Sequence, residues 1–423
     1  MREPRPVIRA EVTEKNKTIR IIAAAVLLVV GIIALTSGFM KLLGKEPGWQ
    51  EIQVSSESRN CSGEFSLQYY FSDASAAAVN NRLQTTYEDA CVKAYQMFTP
   101  DEAIDGINNI WYINHHPNEV IDIDPVLYTA FEKMTDTPYL YMGPVYAHYY
   151  SIIFNASDEG VAQMDPLTSQ EAKAYIDQIM AFVSESESVK LELLGSNQIK
   201  LHVSEAYLQF AAEEEIDRFV DFAYLTNAFI IDYLADRLTA EGLTAGYLVS
   251  ADGYTRNLSD LGSFNLNIFD RVENTVYPAG VMEYHGPISI VRFKDYAAGN
   301  ADGNYRDNLD HVIHLFADPA DGIYRTATEE LVSYSYEEGC ADVALKMLPA
   351  FLGEGFAVPQ GVYSIWCEGG MICYNDETAT IGQFMKGKDF IYRAELKNKK
   401  RPPNKGLLSV ILCTGASHSK KMV

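Results

Sequence analysis

Between residues 218 and 253 the sequence RFVDFAYLTNAFIIDYLADRLTAEGLTAGYLVSADG changes its period twice. It reads as a strand end, a turn, a helix, a short loop, a second strand and a tight turn. Ile231, Leu234, Ala235 and Leu238 fall at helical spacing, which buries one face. Gly242 stands where a left-handed residue closes a helix. A chain holding both periods in so short a span is neither all-helix nor all-strand. The corner inside it, DFAYLTNAF, is the place to look for chemistry. Free backbone N–H groups at a strand-to-helix corner suit phosphates and anions. Such corners usually carry glycine so that a ligand can approach the backbone, whereas this one carries Ala223, Tyr224 and Ala228.

The same alternation runs through the rest of the chain. EFSLQYYF alternates as a strand, and AAAVNNRLQTTYEDACVKAYQMF has helical spacing. EVIDIDPVLYTAFEKM predicts a short strand and then a helix capped by Asp124, with Pro125 at its first position. Strand-edge and cap duties account for Asp122 and Asp124 without catalysis. His115 and His116 fall in the polar stretch NHHPNE, where adjacent residues point apart and share no metal. LELLGSNQIKLHV reads as a hairpin, GPISIVRF, DHVIHLF and TEELVSYSY as strands, GCADVALKMLPAFLGEG as a helix, and GVYSIWCEGGMICYN as a closing hairpin. Interleaved helices and hairpins predict an α+β fold of mixed sheets rather than a doubly wound parallel sheet.

The N-terminus adds a second expectation. Residues 21–40, IIAAAVLLVVGIIALTSGFM, form an apolar run of spanning length between Arg20 and Lys41. Basic residues precede it, so the run predicts a single-pass anchor with a cytoplasmic N-terminus and an extracytoplasmic domain. The implied layout is a basic cytoplasmic segment 1–20, a transmembrane anchor 21–43, a linker 44–64, a domain 65–392 and a basic tail 393–423. Of 57 acidic and 34 basic side chains, four acidic and sixteen basic lie in the two ends, leaving 53 against 18 in residues 46–392. Such acidity excludes nucleic acid as a partner. The cysteines, Cys61, Cys91, Cys340, Cys367, Cys373 and Cys413, match no zinc spacing. A cross-strand disulfide between Cys367 and Cys373 is one reading, and small buried thiols the other.

Five stretches, taken in order, carry a resemblance. FTPDEAIDGIN is similar to a loop of the form aromatic-x-x-Asp-Ser-Glu-Leu-x-x-Leu-Asn, with Phe98, Asp101 and Asn108 in register. TDTPYLYMGPV resembles Thr-x-Gly-x-Phe-Asp-Pro, and DFAYLTNAFIID aligns without a gap on Asp-Leu-Gly-Gly-Ile-Ala-Lys-Gly-Tyr-Ala-Val-Asp. HLFADPADG is similar to His-Ile-Ile-Asp-Pro-x-Thr-Gly with one insertion, and ADVALKML to Ala-Asp-Ala-Leu-Ala-Thr-Ala-Leu. Together they resemble the FAD:protein FMN transferase (ApbE) family over roughly residues 65–385. The resemblance implies a membrane-anchored enzyme that uses Mg²⁺ to split FAD and places FMN on a Ser or Thr of an extracytoplasmic flavoprotein acceptor. It further implies a flavin pocket of Phe98, Tyr139, Asp221, Asn227 and Leu345, and a metal held by Asp342 and the carbonyl of Tyr224.

This chain departs from the pattern where chemistry is concentrated. Ala223, Tyr224, Asn227 and Ala228 replace the corner's glycines and contact residues, and Leu140 replaces an aspartate. SADGY stands where Asn-x-Gly-Gly-Asp is expected and keeps only Gly253. The second metal position, a threonine in the family, is Lys346. A hard cation wants oxygen ligands, and an ammonium one turn from Asp342 is expected to replace it with an ion pair. The alternative to the transferase is therefore a catalytically inactive homologue that binds a flavin nucleotide or acts as a scaffold. Asp342 in a first helical turn, Asp221 bonding to a following turn, and Asp318-Pro319 before Asp321-Gly322 all have structural readings as well. The C-terminal CTGASHS resembles the acceptor motif of this family's flavin, with Ser417 at the acceptor place.

Overall fold

In the computed structural model the described residues are 47–54, 64–72, 76–272, 275–296, 305–308 and 311–384. The chain divides into two units, Met1–Gln50 with Tyr70–Arg82, and Glu51–Tyr69 with Leu83–Val423. In the smaller one Trp49 meets Tyr70 edge-on at 5.6 Å.

The larger unit holds the expected α+β arrangement. Its main sheet runs in the order Phe65–Phe71, Gly246–Ser250, Tyr254–Asn257, Ile288–Lys294, Glu330–Ser335, Tyr363–Glu368, Met371–Tyr374. Each neighbour is antiparallel, with Leu67 opposite Leu248 and Ile290 opposite both Thr255 and Tyr334. Short loops join Gly246–Ser250 to Tyr254–Asn257 and Tyr363–Glu368 to Met371–Tyr374, as antiparallel pairs allow. Two helices, Thr226–Ala240 and Cys340–Phe351, pack on each other and on this sheet. Ile231, Leu234, Ala235 and Leu238, the stripe predicted from spacing, are all buried. A long hairpin, Ser263–Val272 with Thr275–His285, pairs further with Thr380–Gln383, and Val120–Asp122, Gln198–Val203 and Val189–Gly195 form a third sheet. The helix Pro125–Met134 is capped as predicted, with Asp124 accepting the Val126 N–H at 2.9 Å.

Several expectations need correction. Residues 216–222 form no strand. Buried Asn114 accepts the N–H groups of Phe219 and Val220 and donates to the Val220 carbonyl, while the Asp221 N–H donates to Leu140. Those side-chain and loop bonds take the place of a ladder. His115 and His116 lie in and just after the helix Ile110–His115, each stacked at 3.8 Å on the aromatic ring four residues earlier. Cys340, Cys367 and Cys373 are thiols in no disulfide. The closing hairpin sets Cys367 opposite Ile372 and Cys373 opposite Trp366, so its register does not oppose the two sulfurs.

The anchored topology is also corrected. Among the described residues no helix is long and apolar enough to cross a membrane. The longest described helix, Ala76–Phe98, carries Asn80, Asn81, Arg82, Glu88, Asp89 and Lys93, far too polar for a hydrocarbon core. The run 21–40, the whole of the 21–43 segment, the tail 393–423 and the Ser417 motif lie outside the described residues. Among the described residues the architecture is an α+β fold with no membrane-spanning helix, and neither a single-pass topology nor an extracytoplasmic location is carried further.

Candidate functional site

The corner after residue 220 keeps the backbone shape that glycine would favour. Ala223 adopts φ of +47°, a left-handed conformation that costs an L-residue about 1 kcal/mol. Asp221, buried beneath it, accepts the Ala223 N–H at 2.8 Å and an Arg218 N–H at 3.3 Å. Burial pushes its carboxyl upward, and these two bonds pull the other way. Arg218 also pairs with Asp101, tying the 98–101 loop to the corner. A 3-10 turn, Ala223–Leu225, then leads straight into the helix. The Leu225 N–H donates to Phe222 and the Thr226 N–H to Ala223. Three N–H groups of the corner are thus already engaged.

Above the corner opens a cavity of about 710 Å³, within the range of small-molecule sites. Tyr95, Phe98, Tyr224, Phe293, Tyr305 and Phe316 give it an aromatic wall. The Tyr224 ring, where the pattern has glycine, packs against Tyr146, Phe293 and Phe316 with centroids 5.3, 6.1 and 5.0 Å away. Its hydroxyl accepts from Tyr146 at 3.1 Å. One stretch of wall is polar: Asn227 donates to Glu64 at 2.8 Å and to Asp252 at 3.1 Å. Ser250 donates to the other Asp252 oxygen. Burial, with Glu64 adding to it, raises the Asp252 carboxyl to about 7, so it holds a proton for part of the time at neutral pH. Two basic side chains among the described residues line the cavity. Arg292 pairs with Glu330 at 3.2 Å and donates to the Asn267 carbonyl, and Lys294 lies over the rings of Tyr296 and Tyr305.

The proposed metal ligands do not come together around a cation. Asp342 is bonded at 2.6 Å to Lys133, from the 125–134 helix. Lys346, expected to be its partner, pairs with Glu338 instead. The Tyr224 carbonyl accepts the Tyr254 hydroxyl at 2.7 Å. Among the described residues no group of three or more His, Cys, Asp or Glu side chains is placed to hold a metal. A divalent cation needs several oxygen ligands, and these residues do not fit one. Behind them, Asp232 accepts the N–H groups of Cys340 and Ala341 at 2.8 and 2.9 Å, with Arg256 3.4 Å away. A side chain at Gly339 would strike that carboxylate, so Asp232 and Gly339 form one cap.

Of the residues singled out in the sequence, Phe98, Tyr224 and Asn227 line the cavity. Asp221 lies under the corner, and Tyr139 sits buried in the turn Pro138–Tyr141, its hydroxyl raised to about 12 by burial and then by Asp318. Leu345 and Asp342 are on the 340–351 helix and are not among the lining residues. Glu64, Asp252, Lys133 and Asp232 escaped sequence reasoning. Asp252 left one trace, as an acidic residue where the pattern SADGY should have its first glycine; Asp232 ends the aligned corner motif. Glu64 and Lys133 left none, because their roles depend on contacts with residues far along the chain.

No family model matches this sequence, and no curated protein matches it. Among solved structures, the ApbE protein of Thermotoga maritima MSB8 matches with a TM-score of 0.51 at 12% identity, over 82% of this chain and 99% of that one. The flavin transferase ApbE of Vibrio cholerae matches at 0.46 and 12% identity, covering 78% and 97%. The apo flavinyl transferase ApbE of Pseudomonas stutzeri does so at 0.46 and 12%, covering 78% and 94%. The first likeness shows that this chain has the fold of an ApbE protein. The other two are looser and add nothing to it.

Proposed function

We propose that this protein binds a flavin in the cavity above the 221–227 corner and does not perform Mg²⁺-dependent FMN transfer. The observation that carries the reading is a contrast within one site. A cavity of about 710 Å³ with an aromatic wall stays open, while both proposed metal positions are filled by the protein's own Lys133 and Tyr254. The ApbE fold and the order of the five motifs favour a flavin over other planar ligands. Edge-on and offset contacts with aromatic rings suit an isoalloxazine. The chain's own groups then act as a binding surface: aromatic residues hold the ring and exclude water, and Asn227 with its two carboxylates sets the polar edge.

Full-length protein titrated with riboflavin, FMN and FAD, with and without Mg²⁺, should change flavin fluorescence to the same extent in both conditions. An acceptor protein carrying the family's Ser/Thr motif should gain no FMN mass. Mg²⁺-dependent transfer would overturn the proposal, as would the absence of binding by all three flavins.

A further inference from the structure

The cations of the cavity wall point to a narrower ligand than the fold implies. We infer that Lys294 reads the phosphate of a bound flavin, so that the cavity prefers FMN to riboflavin without a metal. The inference rests on the flavin reading above and narrows it.

Two cations line the cavity, and their surroundings give them different tasks. Arg292 pairs with buried Glu330 at 3.2 Å, donates to the Asn267 carbonyl and lies over the Phe269 ring. Those contacts tie it to neighbouring strands. Lys294 holds its ammonium 5.7 Å from the centre of the Tyr296 ring and 5.6 Å from that of Tyr305. Tyr305 itself lines the cavity, and its hydroxyl donates to the Lys294 carbonyl at 2.9 Å. The rings therefore set the place of the cation. An ammonium carries three N–H donors, so it can keep a ring contact and still donate to a phosphate oxygen. At a partly exposed site such a charge-assisted bond outweighs contact with a ring face. The metal positions are taken by Lys133 and Tyr254, which leaves neutralisation of a phosphate to a side chain.

The order of the main sheet keeps the carboxylates of the wall apart from this cation. Glu64 directly precedes the strand Phe65–Phe71, and Asp252 lies in the turn after its neighbour Gly246–Ser250. Lys294 ends the strand Ile288–Lys294, and Tyr254–Asn257 runs between that strand and Gly246–Ser250. At about 4.8 Å per spacing, the two outer strands stand roughly 10 Å apart. Glu64 and Asp252 share the Asn227 amide, and Asp252 holds a proton for part of the time near neutral pH. The remaining carboxylate, Asp101, is met by Arg218. Lys294 is thus a specificity residue, separate from the aromatic residues that hold the flavin ring.

The test compares riboflavin with FMN, which differ by the phosphate alone, on full-length protein in EDTA, followed by flavin fluorescence. FMN should bind roughly tenfold or more tightly than riboflavin, and added sodium chloride should narrow the gap. Lys294→Gln should remove most of the gap by weakening FMN far more than riboflavin, and Lys294→Arg should keep most of it. Riboflavin binding as tightly as FMN to the unaltered protein overturns this inference and leaves the flavin reading intact. A gap that survives Lys294→Gln overturns the role of Lys294. Binding of neither ligand overturns the inference, and if FAD also fails to bind, the flavin reading falls with it. The wild-type ranking and its salt dependence need no variant, so a poorly folding substitution does not rescue a failed inference.

Discussion

The aromatic cavity and the N-terminal end of the 340–351 helix solve the same problem in opposite ways. Both regions correspond to places where the resemblance expects a ligand. At the helix end Asp232 is met by two backbone N–H groups and Arg256, Asp342 by Lys133, and Lys346 by Glu338. In the cavity the carboxylates Glu64 and Asp252 share the Asn227 amide, and Ser250 donates to Asp252. The helix end is closed on itself by ion pairs, whereas the acidic pair faces an open cavity.

The strongest way to break this comparison is at the closed end. Asp232→Ala removes the acceptor from two N–H groups and the carboxylate partner of Arg256, which keeps Ser289 and the Glu338 carbonyl, and should cost about 2–4 kcal/mol. The denaturant midpoint should fall while flavin affinity of the folded protein stays unchanged. An unmoved midpoint would mean that the cap contributes nothing.

The open end is sharpened by pH. Asp252 titrates near 7 when folded against about 3.9 in an unfolded chain. Between those values the folded state keeps a proton that the unfolded state has released. Stability is therefore lost as pH rises from about 4 to 7 and is level above that. For a half-buried group the loss should be about 1–2 kcal/mol rather than the fully buried limit. Asp252→Asn should make that slope shallower in a plot of unfolding free energy against pH, the raised Asp295 supplying part of what remains. An identical slope in the variant would place the titrating group elsewhere.

The smallest effect lies at the corner the two regions share. Ala223→Gly relieves the left-handed strain but loosens the unfolded chain, for a net gain of about 0.5 kcal/mol. Ala223→Val at the same site should destabilise, because a β-branched side chain tolerates positive φ poorly. A melting temperature that rises with valine would contradict the φ of +47° seen here.

Sequence reasoning located the corner but misjudged its surroundings. The buried stripe of the 226–240 helix, the Asp124 cap and both hairpins were legible because period and capping are local. The false strand before Asp221 came from the same rules: an apolar, extended stretch looks alike whether a ladder or an Asn114 side chain satisfies its backbone. Lys346 was expected on Asp342 because the two are a helical turn apart. Lys133, 209 residues away in sequence, holds it instead. Little in the sequence announces the 3-10 turn Pro138–Tyr141 or the π-helix Pro144–Tyr150, from which Tyr146 reaches the Tyr224 hydroxyl.

By itself the sequence determined the α+β class, the helix faces, the acidic surface and the loss of the glycines and threonine that the resemblance calls for. Those follow from spacing and residue type alone. Tertiary structure decided which groups took over the vacated positions. Lys133, Tyr254 and the Glu64–Asn227–Asp252 bridge join segments distant in the chain, and whether an ammonium, a phenol or a carboxylate faces a given oxygen depends on packing that no local pattern encodes.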